Sequence, residues 1–155
     1  MPSDERPPER SVRVEGIYQE LILDHYRRPR NKGALEGADA AGTRKNPLCG
    51  DVIDVMIAWE GDRVADVRFS GRGCSISQAS ASMMTGLVRG KTAAEIDVVL
   101  RRFAAMLHGD RAAAEDESLG ELRALSGVAR YPARIACASL AWTALGDALA
   151  NGGRR

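Results

Sequence analysis

Three cysteines stand far apart in this chain, and each keeps company that plain packing would not require. Cys49 lies in KNPLCGD, Cys74 in GRGCSIS and Cys137 in RIACASL. A thiolate is both a nucleophile and a soft metal ligand. Asp51, two residues after Cys49, adds a hard oxygen. Three sulfurs and one carboxylate form a donor set suited to tetrahedral zinc or to an iron–sulfur site. There is no CxxC pair and the gaps between cysteines are long. The same residues also satisfy a plainer reading, three buried core thiols, because free cysteine is among the most buried residue types. Their placement beside glycine, aspartate or a helix start favours the metal.

For the four donors to meet, the elements carrying them must converge. Val52 to Trp59 alternates, with Ile53, Val55, Ile57 and Trp59 on one face and Asp54, Met56 and Ala58 on the other. Glu60-Gly61-Asp62 is a hairpin turn, and Arg63 to Ser70 is the returning strand, with Ala65, Val67 and Phe69 on one face. The first strand leaves from Cys49 and the second returns to Cys74, so an antiparallel hairpin brings those two together. Ser75 is expected to cap a helix over Ile76–Val88, closed by Gly90. Cys74 then sits at a helix N-terminus, where the dipole favours a thiolate. Pro132 opens a last helix over Ala133–Leu149, with Cys137 in its first turns.

The remaining elements frame these. Residues 1–12 are polar and hold three prolines, and read as a disordered tail ahead of one domain over 13–150. A helix is expected from Val14 to Arg27, stopped by Pro29. Thr92-Ala93-Ala94-Glu95 is a capping box opening a helix through Leu107. Gly109–Ser118 reads as a polar surface loop, and Leu119, Leu122 and Leu125 as a short helix. Helix, hairpin, then helices gives an α+β single domain, with a small antiparallel sheet covered by helices on one face. His25 is expected in a surface or capping role and His108 at a helix end; neither adjoins a cysteine in sequence.

Composition narrows the function classes. The chain has 155 residues, a formal net charge of +1 and 45% hydrophobic residues. A near-neutral balance without a basic stripe argues against nucleic-acid binding. No apolar run approaches the roughly 20 residues of a membrane span, and the N-terminus is unlike a signal peptide. An odd number of cysteines, three, does not make a disulfide framework. The expectation is a cytoplasmic protein with reduced thiols.

Four stretches in order, IYQELILDHYRRPRNKG, KNPLCGD, GRGCSISQASASMMT and RIACASLAW, resemble the U-type iron–sulfur cluster assembly family of IscU and SufU proteins, from about Ile17 to Leu149. The resemblance implies a small three-stranded antiparallel sheet packed against several helices, the third strand coming from about Ala41 to Lys45. It implies Cys49, Asp51, Cys74 and Cys137 as metal ligands, with Cys49 as the persulfide acceptor. The residue before the last cysteine is Ala136, not the histidine of the IscU branch, and the IscU chaperone motif is replaced by VARYPARIA. The long segment between Met106 and Tyr131 is similar to the SufU insertion, so the SufU-like branch is the better match. Where that branch usually carries lysine, this chain has Ala136.

The function implied is that of a zinc-dependent sulfur acceptor, a sulfurtransferase-like persulfide carrier more than a conventional turnover enzyme. It would take persulfide from a SufS-type cysteine desulfurase and serve downstream SUF assembly proteins. Cys49, in a Gly/Pro loop, is the thiol free to swing; Cys74 and Cys137 are anchored at helix starts. Arg134, one turn before Cys137, is a candidate contact for a partner or an anionic persulfide, against the alternative of a solvated helix charge. The alternative function is a scaffold on which a 2Fe–2S cluster is assembled by the same ligands.

Overall fold

The computed structural model describes residues 9–47 and 50–152. Three strands, β1 (Ala40–Asn46), β2 (Asp51–Glu60) and β3 (Arg63–Arg72), form one antiparallel sheet in the order β1-β2-β3. The helices are α1 (Glu9–Arg27), α2 (Ser75–Val88), α3 (Ala93–Leu107), the single turn α4 (Arg111–Ala114) and α5 (Pro132–Gly152). A 3₁₀ segment, Glu117–Arg130, joins α4 to α5 and is kinked at Gly120. Thus α1 begins before the expected Val14, and residues 9–12 of the expected tail are helical. The span expected as loop at 109–118 holds α4, and the expected short helix is the 3₁₀ segment. Among the described residues no helix is long and apolar enough to cross a membrane.

The alternation in β2 fixes which face is inside. Ile53, Val55, Ile57 and Trp59 are buried against the helices, together with Val67 and Phe69 of β3. One detail differs. The register slips between Ala58 and Trp59, pairing Ala58 with Asp66 and Trp59 with Val64. Ala65 is thereby the extra residue of a bulge and faces solvent, and Val64 takes the inward place expected for Ala65.

β1 is short of apolar residues, and its use is steric. A Cβ on Gly42 would stand 2.2 Å from the Ala144 carbonyl oxygen and 2.7 Å from the Ala148 nitrogen. Only a residue without a side chain lets α5 lie this close to the strand. Beside it, Arg44 Nε donates to Asp147 Oδ2 at 2.6 Å. The carboxylate of Asp147 is held below its usual range by that hydrogen bond and the arginine's charge, against a smaller effect of burial.

α2 runs through the middle of the helical layer and carries hydroxyls that find partners. Ser80 Oγ donates to the Ala138 carbonyl of α5 at 2.6 Å. Ser82 Oγ accepts the Arg30 N–H at 2.8 Å and shares a hydrogen bond with His25 Nδ1 at 2.7 Å. His25 Nε2 reaches Glu121 Oε1 of the 3₁₀ segment at 3.2 Å. His25 is therefore buried, not at the surface as expected, because α2 and the 3₁₀ segment supply partners from outside its own helix. His108 does stand at the end of α3, exposed, with Nδ1 on the Ala104 carbonyl.

Asp116 starts the 3₁₀ segment. It accepts from the Ser118 hydroxyl and N–H and from Arg102 Nε, which together lower its pKa to about 2. A carboxylate with a depressed pKa stabilises the fold above its unfolded value, and that contribution disappears as pH falls through the folded one. The melting-temperature gap between wild type and Asp116→Asn should be full at neutral pH and close between 3.8 and about 2. Gly42→Ala should cost about 1–3 kcal/mol by overpacking, read from chemical denaturation.

Candidate metal centre

The hairpin is tight at the end away from its turn. Asn46 pairs with Asp51 across the β1–β2 connection, and the Gly50 N–H donates to the Asn46 carbonyl at 2.8 Å, with Gly50 at φ 71°. Val52 pairs with Arg72, so Asp51 lies level with the chain leaving β3. There Gly73 passes against the carboxylate: a Cβ on it would be 2.8 Å from Asp51 Cγ and 2.3 Å from Ser77 Oγ. The Cys74 N–H points to Asp51 Oδ2 at 3.4 Å.

Cys74 itself is the N-cap of α2, in extended geometry and without a side-chain capping bond, where Ser75 had been expected. A serine in that position would cap better, but a thiol there lies at the end of the helix where the dipole favours negative charge. Ser77 Oγ donates to the Cys74 carbonyl at 3.1 Å and lies 3.9 Å from its sulfur. Cys137 enters from the first turns of α5, buried, its Sγ 3.8 Å from Asn46 Nδ2.

These separate elements bring one oxygen of Asp51 and the sulfurs of Cys74 and Cys137 within 4.8 Å of one another. Asp51 and Cys137 are buried and Cys74 is half-buried, giving the group one side toward solvent. One ion, with bonds of about 2.0–2.3 Å to such atoms, can span that spread. Soft sulfurs and a hard oxygen fit zinc or iron and would not select calcium or magnesium. Cys49 lies outside the described residues, on the connection between Asn46 and Asp51.

Arg134 is exposed, and its guanidinium is pushed further toward the charged form by a hydrogen bond to Cys137 and by the charges of Cys74 and Cys137. Its charge thus stands near the two thiols. Asn46, Gly73 and Ser77 were missed from the sequence. Asn46 stood inside KNPLCGD, but nothing in that pattern says that its amide meets a cysteine of the last helix.

Gly73→Ala should displace the Asp51 carboxylate and weaken zinc binding about 10–100-fold, the usual scale for residues that orient ligands. Competition against a chromophoric chelator measures it, with a cooperative melt of the metal-free variant as control.

The chain is similar to known proteins along most of its length. The family model for the NifU-like N terminal domain matches residues 17–138. The chain is 41% identical over 143 residues to the zinc-dependent sulfurtransferase SufU of Bacillus subtilis, covering 91% of this chain and 95% of that one. It is 41% identical over 137 residues to the iron–sulfur cluster assembly scaffold protein IscU of Streptococcus pyogenes serotype M1, covering 88% and 85%. A crystal structure of a hypothetical protein superposes with a TM-score of 0.82 at 40% identity, over 88% of this chain and 99% of that one.

Proposed function

Since the chain belongs to the family of the NifU-like N-terminal domain, that of IscU and SufU, we propose that it serves iron–sulfur cluster biogenesis as a zinc-dependent acceptor of persulfide sulfur. The donor would be a SufS-type cysteine desulfurase in the cytoplasm, and the recipients downstream SUF assembly proteins. The observation that carries this reading is the convergence of Asp51, Cys74 and Cys137 within 4.8 Å from two strand ends and two helix starts. With Cys49 they are the proposed zinc ligands within a domain over residues 13–150. Bound zinc would supply Lewis acidity that keeps sulfur deprotonated without adding redox chemistry.

The chain's own residues account for the rest. Cys74 stands at the N-cap of α2, where the helix dipole favours negative charge. The guanidinium of Arg134, exposed beside both thiols, meets an anionic persulfide as it approaches. Cys49 stands in sequence between Pro47 and Gly50, in a Gly/Pro stretch suited to a thiol that leaves the metal. Its thiolate attacks the outer sulfur of the desulfurase persulfide. A new S–S bond forms to Cys49, the old one breaks, and the desulfurase cysteine leaves as thiolate, with no net oxidation.

In a desulfurase assay, Cys49→Ala should abolish stimulation while keeping the fold; full stimulation by that variant would sink the mechanism. A second reading, a scaffold for a 2Fe–2S cluster as cargo, is supported by the equal identity to the Streptococcus pyogenes protein. Metal analysis of protein purified without added metal separates the two. Zinc and no chromophore supports the acceptor; brown protein with acid-labile sulfide supports the scaffold.

A further inference from the structure

Asn46 is the last residue of β1 and only 5% exposed. Its backbone carbonyl accepts the Gly50 N–H at 2.8 Å, which closes the connection to Asp51. Its side-chain amide donates to Cys137 Sγ at 3.8 Å, across a sequence separation of 91 residues. One residue thus touches both the loop and the sulfur of the last helix.

The sulfur of Cys137 makes protein contacts of different kinds, the Arg134 guanidinium among them. It donates to the Ala133 carbonyl at 4.0 Å and accepts from Asn46. A metal–sulfur bond replaces the thiol proton, and the contact to Ala133 goes with it. The contact to Asn46 needs only a sulfur lone pair and survives. A buried amide donor on a metal-bound sulfur also draws electron density from it, fixing its direction and its donor strength.

We propose that Asn46 is a positioning residue of the metal centre, holding Cys137 toward Asp51 and Cys74 through an N–H···S hydrogen bond that persists when metal is bound. This rests on the reading of those three residues as metal ligands. The role is orientation and electronic tuning of one ligand, distinct from the sulfur chemistry of Cys49.

Cobalt(II) titration of the full chain tests it, because the thiolate-to-cobalt charge-transfer band reports the sulfur directly. Wild type should show that band; its absence would overturn the metal reading itself. Asn46→Leu removes the donor on the same branched heavy-atom skeleton. It should shift the band to lower energy and weaken cobalt about tenfold, with a cooperative melt retained in the metal-free state. Asn46→Asp, which keeps the shape and removes the donor, covers the case in which the leucine variant does not fold, and should also shift the band. Ser80→Ala is the comparator. It loses the hydroxyl bond to the Ala138 carbonyl, next to Cys137, without touching sulfur. It should lower the melting temperature and leave the band in place. Wild-type band and affinity in a folded Asn46 variant, or an equal band shift in Ser80→Ala, would overturn the proposal.

Discussion

The fold depends on how closely α5 lies on β1. At Gly42 strand backbone and helix backbone meet with no side chain between them. That contact sets the height of α5 above the whole sheet. A helix raised by one methyl group would lift its N-terminal turns from the end of β1, where Asn46 and Asp51 pair. The Arg44–Asp147 ion pair fixes the helix sideways but is half-exposed and worth little alone. Backbone proximity, not charge, therefore decides where Cys137 arrives.

α2 completes the frame in a different way. It threads a largely apolar layer yet buries Ser77, Gln78, Ser80, Ser82 and Thr85. Buried hydroxyls are costly unless bonded, and the serines and threonine here are bonded, to the Cys74 carbonyl, the Ala138 carbonyl, His25 and the Arg30 backbone. Apolar contacts hold helices together but tolerate sliding. Directional bonds at successive turns set the rotation and register of α2 against α1 and α5. Cys74 at the start of that helix inherits the setting.

Much of this was legible in the residues. The strict alternation of β2 and the capping box of α3 are local signals, and both give their elements directly. Cys74 and Cys137 at the starts of their helices were visible for the same reason. β1 was not, because AAGTRKN has no apolar alternation; its inward residues are a glycine chosen for its absence of bulk and the polar Asn46. Only the family resemblance implied that strand. The bulge at Ala65 arises from a pairing slip between strands, which no single strand encodes. His25 was placed at the surface because its partners, Ser82 and Glu121, come from elsewhere in the chain. Asn46 escaped notice likewise, since its amide answers a residue of the last helix.

The bond from Ser80 to the Ala138 carbonyl has a consequence for how tightly occupancy and folding are linked. It joins α2 and α5 next to Cys137 through the protein's own groups. With the helices held by such a bond, an ion would meet a framework that is already packed, and little of its binding free energy would go into ordering the chain. The residence time of an occupant is set by local fraying at the half-exposed Cys74 side, far below the cost of global unfolding. A site framed this way would fill and empty without passing through a melted state.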